Sequence, residues 1–279
     1  MAHRRNGYSR LELAIACSIA AILVGLLVPA VQKLRAASYR TRCANNLRGL
    51  GSGVLSYNAA KNHLPPGGSH TPPATSADLT TEAREREWSW AYHILPHIGQ
   101  ANIHGNPDPV AVVAANVPAF YCSARRRGGQ WNNRTMLDYA ANAGTEANGT
   151  DGAIQRSTEK PFTLDSFPDG VGSTLLLAEK RLNVAEFGTA PGDTNGFAAA
   201  GWTEACEGHR FGLLAPGPDW DSPGERSPHS EFGSSHPGVF LALFADGTLR
   251  AIHYSVNPAV WRRACVRNDN ERFNFNELQ

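Results

Sequence analysis

The sequence predicts an α+β protein in which one long N-terminal helix packs, over its second half, against an antiparallel sheet that carries long loops. Three observations lead there. Residues 13–32 contain no charged side chain and are rich in Ala, Ile, Leu and Val. Cys43, Leu47, Leu50, Val54 and Tyr57 then recur at alternating steps of four and three, the spacing of a single helical face. Near the C-terminus, the unbroken apolar run Val239–Ala245 meets Asp246-Gly247, a hairpin turn pair, and the chain returns from Thr248 to Tyr254 as a second strand.

The first of these elements is long enough to cross a bilayer. About twenty residues at ~1.5 Å each make roughly 30 Å of helix, the thickness of a hydrocarbon core. A helix on the surface of a soluble protein would carry a polar stripe, and this run has none. A membrane span at about 11–32 is expected, and His3, Arg4 and Arg5 ahead of it keep the N-terminus cytoplasmic. That orientation puts the C-terminal domain across the membrane from the cytoplasm; a single-pass inner-membrane protein with that domain in the periplasm or at the cell surface is the expectation. A cleaved secretory signal ending at Val28-Pro29-Ala30 would need a shorter apolar core. A lipoprotein signal would place Cys17 after the run, and it lies inside it.

Beyond the span, Gly49, Gly51 and Gly53 each weaken the helix by roughly 1 kcal/mol relative to Ala, so its last turns are expected to fray or bend. Pro65-Pro66-Gly67-Gly68 and Pro72-Pro73 make residues 63–77 a surface loop. Trp88, Trp90, Ala91, Ile94, Leu95 and Ile98 follow a helical pattern that stops at Gly99. Val117–Cys122 reads as a short edge strand, and Asp138–Gly144 fits no single element type. Gly172–Glu179 reads as a strand entered by the turn Pro168-Asp169-Gly170. Residues 186–236, rich in Gly, Pro and Asp, are expected to form long loops. A last amphipathic helix begins around Pro258, with Val260, Trp261 and Cys265 on or near one side.

Composition narrows the function. With 279 residues, 42% of them hydrophobic, the chain can bury a substantial core, and a net charge of +1 provides no field to recruit nucleic acid. Compact catalytic or metal constellations are not apparent. His236 and Asp246, if joined by one extended strand, stand roughly 33 Å apart and cannot share a proton or a metal. Asp246-Gly247 is then a turn, and His236-Pro237-Gly238 marks the beginning of the strand. His93 and His97 have zinc-like helical spacing, but Pro96 lies between them and no third ligand can be named. Gly170–Thr174 lacks the Lys of a phosphate-cradling loop, and Ser234-Ser235-His236 lacks an esterase elbow. No catalytic residue, cofactor or metal site is therefore expected. Of the five cysteines, Cys43, Cys122, Cys206 and Cys265 lie outside the apolar run. In an oxidising compartment they are candidates for one or two disulfides, with three full pairings open.

The N-terminus resembles a known processing site. Gly7-Tyr8-Ser9-Arg10-Leu11-Glu12-Leu13 is similar to the cleavage sites of type IV prepilins and type II secretion pseudopilins. In that family a short basic leader ends in Gly, an aromatic residue becomes the new, methylated N-terminus, and a Glu stands fifth. Here the leader would be residues 1–7, Tyr8 the first mature residue and Glu12 the fifth, with Pro29 at the twenty-second position, where pilin helices commonly bend. Tyr8 in place of Phe, and Arg10 in place of an apolar residue, depart from the usual pattern.

Over most of its length the chain also resembles a large set of prepilin-like proteins, abundant in planctomycete-type bacteria, of unassigned function and marked by a C-terminal His-x9-Asp-Gly motif. That motif is His236 with Asp246-Gly247. The supporting segments are Cys43–Arg48, Leu64–Gly67, Trp88-Ser89-Trp90 with Leu95-Pro96, Phe120-Tyr121-Cys122, and Gly172-Ser173-Thr174 with Glu179. The resemblance implies a pilin-like fold divided into the leader, a helix over 8–62 and a globular domain over 63–279. It implies a structural or adhesive subunit with no enzymatic activity. Its partners would be membrane lipid, a prepilin peptidase, other pilin-like subunits, and a polysaccharide or envelope ligand held by the loops. The alternative is an exported hydrolase or carbohydrate-binding protein that uses the same anchor.

Overall fold

The computed structural model describes residues 10–69, 81–126, 128–157, 159–198, 202, 206–224, 230–271 and 273–278. Helix α1, Arg10–Lys61, runs 52 residues without interruption through Pro29. It is long and apolar enough to cross a membrane. The helix ends at Asn62, whose left-handed backbone (φ 59°) suits Asn, and whose amide donates to the Asn58 carbonyl at 2.8 Å. Residues 10–35 are exposed throughout, including Leu11, Leu26 and Leu34. Burial starts at Cys43 and continues through Ala44, Leu47, Leu50, Gly51, Gly53, Val54 and Tyr57.

Two of the helix glycines have a role that their propensity alone does not reveal. A Cβ on Gly51 would collide with the Leu243 side chain, and one on Gly53 would stand 2.6 Å from Ile98. They are where the helix presses closest to the domain, so α1 does not fray before Lys61. Packing outweighs the roughly 1 kcal/mol cost of each glycine.

Short helices follow: α2 Thr81–Glu87, α3 Trp90–His93, α4 Ala101–His104 and α5 Pro109–Ala114. Ser89 caps α3 by accepting from the Ala91 amide, and a 3-10 turn at Leu95–Ile98 closes on Gly99 with φ 76°. Val117–Cys122 is not a strand. Pro118 opens a 3-10 turn over Pro118–Phe120, because a proline supplies no ladder donor while its fixed φ suits a first helical position.

The strands are β1 Gln130–Trp131, β2 Arg134–Thr135, β3 Tyr139–Asn142, β4 Leu175–Glu179, β5 His209–Arg210, β6 Gly217–Pro218, β7 Gly233–Ser234, β8 Val239–Phe244 and β9 Leu249–His253. The central sheet has the order β5-β3-β4-β8-β9. Its pairs are antiparallel except β3 with β5, which run parallel. The predicted α+β class therefore holds, with one parallel edge strand added. Within 186–236 the described residues form, after a 3-10 turn that ends at Glu186, the two-residue strands β5, β6 and β7.

The apolar run of β8 is unbroken because both faces of the sheet are covered. Leu241, Leu243 and Ala245 point into the core shared with α1, α3 and the Phe120 turn. Phe240, Ala242 and Phe244 point into a second core, with Ile252 and the last helix, α6 Pro258–Cys265. Asn257 caps α6 by accepting from the Ala259 amide, and Val260, Trp261, Ala264 and Cys265 are its buried face.

Candidate functional site

Four side chains from four parts of the chain meet beneath α1. Cys43 is the first fully buried residue of that helix. One turn on, the Asn46 amide donates to the Tyr121 carbonyl at 3.2 Å and ties the helix to the segment that bears Cys122. Cys122 is held by its own backbone: its amide donates to Asp138 Oδ2 at 2.7 Å, and its carbonyl accepts from the Arg125 and Arg126 amides at 3.0 and 3.1 Å. Glu179 ends β4 opposite Tyr139, whose hydroxyl donates to the Cys43 carbonyl at 3.3 Å. One Glu179 oxygen, Oε2, accepts from the Leu241 amide at 2.9 Å.

His236 is fixed by Ser234 of β7 and by Tyr254, just past β9. Its amide donates to Ser234 Oγ at 3.0 Å, and the Tyr254 hydroxyl lies 3.0 Å from both the Ser234 and His236 carbonyls. The imidazole Nε2 then stands 3.7 Å from Cys122 Sγ and 3.2 Å from Glu179 Oε1. One ligand atom from each of Cys43, Cys122, Glu179 and His236 lies within 4.8 Å of every other. All four residues are buried, His236 the least so at 2% exposure.

The groups polarise one another. The Cys43 thiol is pushed down to about 5, first by its hydrogen bond with Cys122 and then by His236, against the opposing effects of burial and Glu179. Cys122 is pushed up by the same hydrogen bond and by burial. Burial works against a charged His236, but contact with Cys43 and Glu179 outweighs it and raises the imidazole to about 9.

A buried ionic framework braces the Cys122 segment. Arg125 reaches Asp219 at 2.8 Å and Asp138 at 3.1 Å, and Arg126 binds Asp138 and Asp193. Lys180, next to Glu179, donates to the carbonyls of Gly192 and Glu207. Such networks contribute little net stability when whole, yet removing one partner leaves a buried charge that costs about 3–5 kcal/mol.

The residues singled out by sequence divide sharply. Asp246 and Gly247 do form the β8–β9 turn: Asp246 Oδ1 accepts from the Thr248 amide at 2.8 Å and Gly247 has φ 85°. His236 does more than begin a strand, because its ring completes the cluster. Among the cysteines, Cys43 and Cys122 share that site, whereas Cys265 lies under Gly212 and Cys206 precedes β5. His93 and His97 both stand edge-on to the Tyr57 ring, and His93 Nδ1 lies 3.3 Å from Glu85. Glu12 is in the first turn of α1 and Pro29 is within it. Gly7 and Tyr8 lie outside the described residues.

Sequence reasoning missed the convergence because no two of the four residues are near neighbours in the chain. The available signal was indirect. Each of them stands in one of the separate short segments that carried the family resemblance.

Chemically, two thiols, an imidazole and a carboxylate can hold a soft cation, or the two sulfurs can join. All four lie within the core. A small cavity lined by Leu64, Pro66, Gln155, Arg156, Glu159 and Phe162 involves none of the four.

Fold and site together define a class: an α+β domain packed on the second half of a long N-terminal helix, with a buried Cys-Cys-Glu-His cluster where the two meet. Residues 32–259 match the family described as protein of unknown function DUF1559, and the chain belongs to that family. No curated protein and no solved structure matches it.

Proposed function

We propose that this protein is a pilin-like exported subunit, anchored in the inner membrane by α1 and processed by a prepilin peptidase between Gly7 and Tyr8. One observation carries the reading: α1 is a single rod with two environments. Residues 13–32 expose an uncharged, largely apolar surface all round, while from Cys43 to Tyr57 the same helix packs into the domain. The exposed part suits lipid or neighbouring copies of the same helix, and the buried part makes the domain rigid with its anchor. Glu12 near the helix start is costly in lipid unless paired. Cleavage after Gly7 would create the amine of a neighbouring subunit as its partner. The loops on the far side of the sheet would face the envelope, where a polysaccharide or another envelope protein is the expected ligand.

Mass spectrometry of the mature N-terminus tests this directly. A chain that starts at a methylated Tyr8 is expected. A chain starting at Val31, or at a lipid-bearing Cys17, would overturn the proposal.

A further inference from the structure

We propose that Cys43, Cys122, Glu179 and His236 form a closed four-coordinate site for a soft divalent cation of zinc's class, which staples α1 to the sheet. The geometry fits the ion. With Zn–S near 2.3 Å and Zn–N or Zn–O near 2.0–2.2 Å, a tetrahedral site has edges of roughly 3.8 Å between sulfurs, 3.6 Å from sulfur to nitrogen and 3.3 Å from nitrogen to oxygen. The Cys122 Sγ to His236 Nε2 separation is 3.7 Å, His236 Nε2 to Glu179 Oε1 is 3.2 Å, and no pair in the set exceeds 4.8 Å.

A second observation points the same way. Glu179 is wholly buried; Oε2 accepts the Leu241 amide, while Oε1 accepts from no amide or hydroxyl among the described residues and faces His236 Nε2 at 3.2 Å. Burying a carboxylate is costly unless it is well paired, and a cation at the centre of the four would neutralise it together with the thiolates. A disulfide between Cys43 and Cys122 would use the sulfurs alone and would give the convergence of His236 and Glu179 on them no role.

The surrounding contacts hold three of the four ligands in place before any ion arrives. Asp138 grips the Cys122 amide, Leu241 fixes one Glu179 oxygen, and Ser234 with Tyr254 sets the His236 backbone. Such outer partners are what orient metal ligands. Two thiolates with an imidazole select zinc-class ions over magnesium or calcium. Four protein ligands with no open position are the pattern of a structural site rather than a catalytic one. On binding, any proton still held by either sulfur or by the imidazole Nε2 passes to solvent as that atom's bond to the metal forms. The four ligands come from α1, the Cys122 turn, the end of β4 and the approach to β8, so the ion would join the anchor helix to the two central strands. The site does not depend on how the N-terminus is processed.

The test uses the full chain extracted in detergent without chelator. Elemental analysis should find close to one zinc per chain. Cobalt exchanged into the site should show the sulfur-to-cobalt charge-transfer band of thiolate ligation. Cys122→Ser and His236→Ala should each lose most of the bound metal, and Cys17→Ser should keep it. Because those variants can fail to fold, the wild-type chain supplies an independent readout: Cys43 and Cys122 should resist alkylation until a chelator is added, and the thermal midpoint should then fall. A Cys43–Cys122 disulfide in peptide mapping, a metal-free chain with both thiols reduced, or full metal retention by Cys122→Ser would each overturn the proposal.

Discussion

Gly49 and Gly51 lie on the same helix, yet an added methyl group should affect them in opposite directions. Nothing stands within 4 Å of a Cβ built on Gly49, so Gly49→Ala should gain up to about 1 kcal/mol from helix propensity alone. A Cβ on Gly51 meets Leu243, which is 1% exposed and has nowhere to swing. Gly51→Ala should therefore lose about 1–3 kcal/mol despite the same gain in propensity. Urea midpoints of the two variants in detergent would check both signs. Glu85 offers a pH test at the same scale. Hydrogen bonds from His104 and then His93 hold its carboxyl well below the usual carboxylate range. A depressed folded-state value means the stabilisation is complete above the unfolded value, about 4.3, and fades as the pH falls below it. Glu85 is nearly half exposed, so the effect belongs to the surface class of below about 1 kcal/mol. Glu85→Gln should be slightly less stable than the wild type at pH 7 and should converge with it in thermal melts run below pH 4.

Among the elements, α6 shows how a short helix is made stable. Eight residues are too few to hold a helix by propensity. Asn257 satisfies an amide at the start, Pro258 presets the first turn, and Trp261 packs edge-on against Phe232 and Phe240, each with ring centres 5.4 Å away. Asn257→Ala should cost about 1 kcal/mol, the typical value of a lost cap, and Trp261→Ala about 3–5 kcal/mol. Denaturant titration should find these two losses roughly in that ratio. The hairpin β8–β9 was legible in sequence for the same local reason: a continuous apolar run, an Asp-Gly turn with φ 85° at Gly247, and a returning strand are near neighbours. The segment Val117–Cys122 was misjudged because its apolar residues mimic a strand, and the geometry imposed by Pro118 decides otherwise.

At the scale of the whole molecule, the exposed apolar half of α1 and its buried half make separable demands on the helix. Val24 is 58% exposed in the middle of the apolar half, far from the buried face that starts at Cys43. Val24→Arg should raise the cost of insertion by about 2.5–3.5 kcal/mol while leaving the domain's packing unchanged. The variant should shift from the membrane pellet toward the soluble fraction after alkaline carbonate washing, with an unaltered near-ultraviolet circular dichroism spectrum. Loss of both membrane retention and tertiary signal would show instead that the anchor helps hold the domain together.

By itself the sequence determined what depends on neighbours along the chain: the apolar rod, the helical face from Cys43 to Tyr57, the β8–β9 hairpin and the capped α6. Hydrophobic period, turn chemistry and caps act over a few residues and can be read in order. Only the tertiary structure decided that Gly51 and Gly53 are contact points rather than weak spots, that β5 joins the sheet in parallel, and that Cys43, Cys122, Glu179 and His236 share one buried site. Each of these is a meeting of residues far apart in sequence, and chain closure, strand register and packing must be settled before any of them exists.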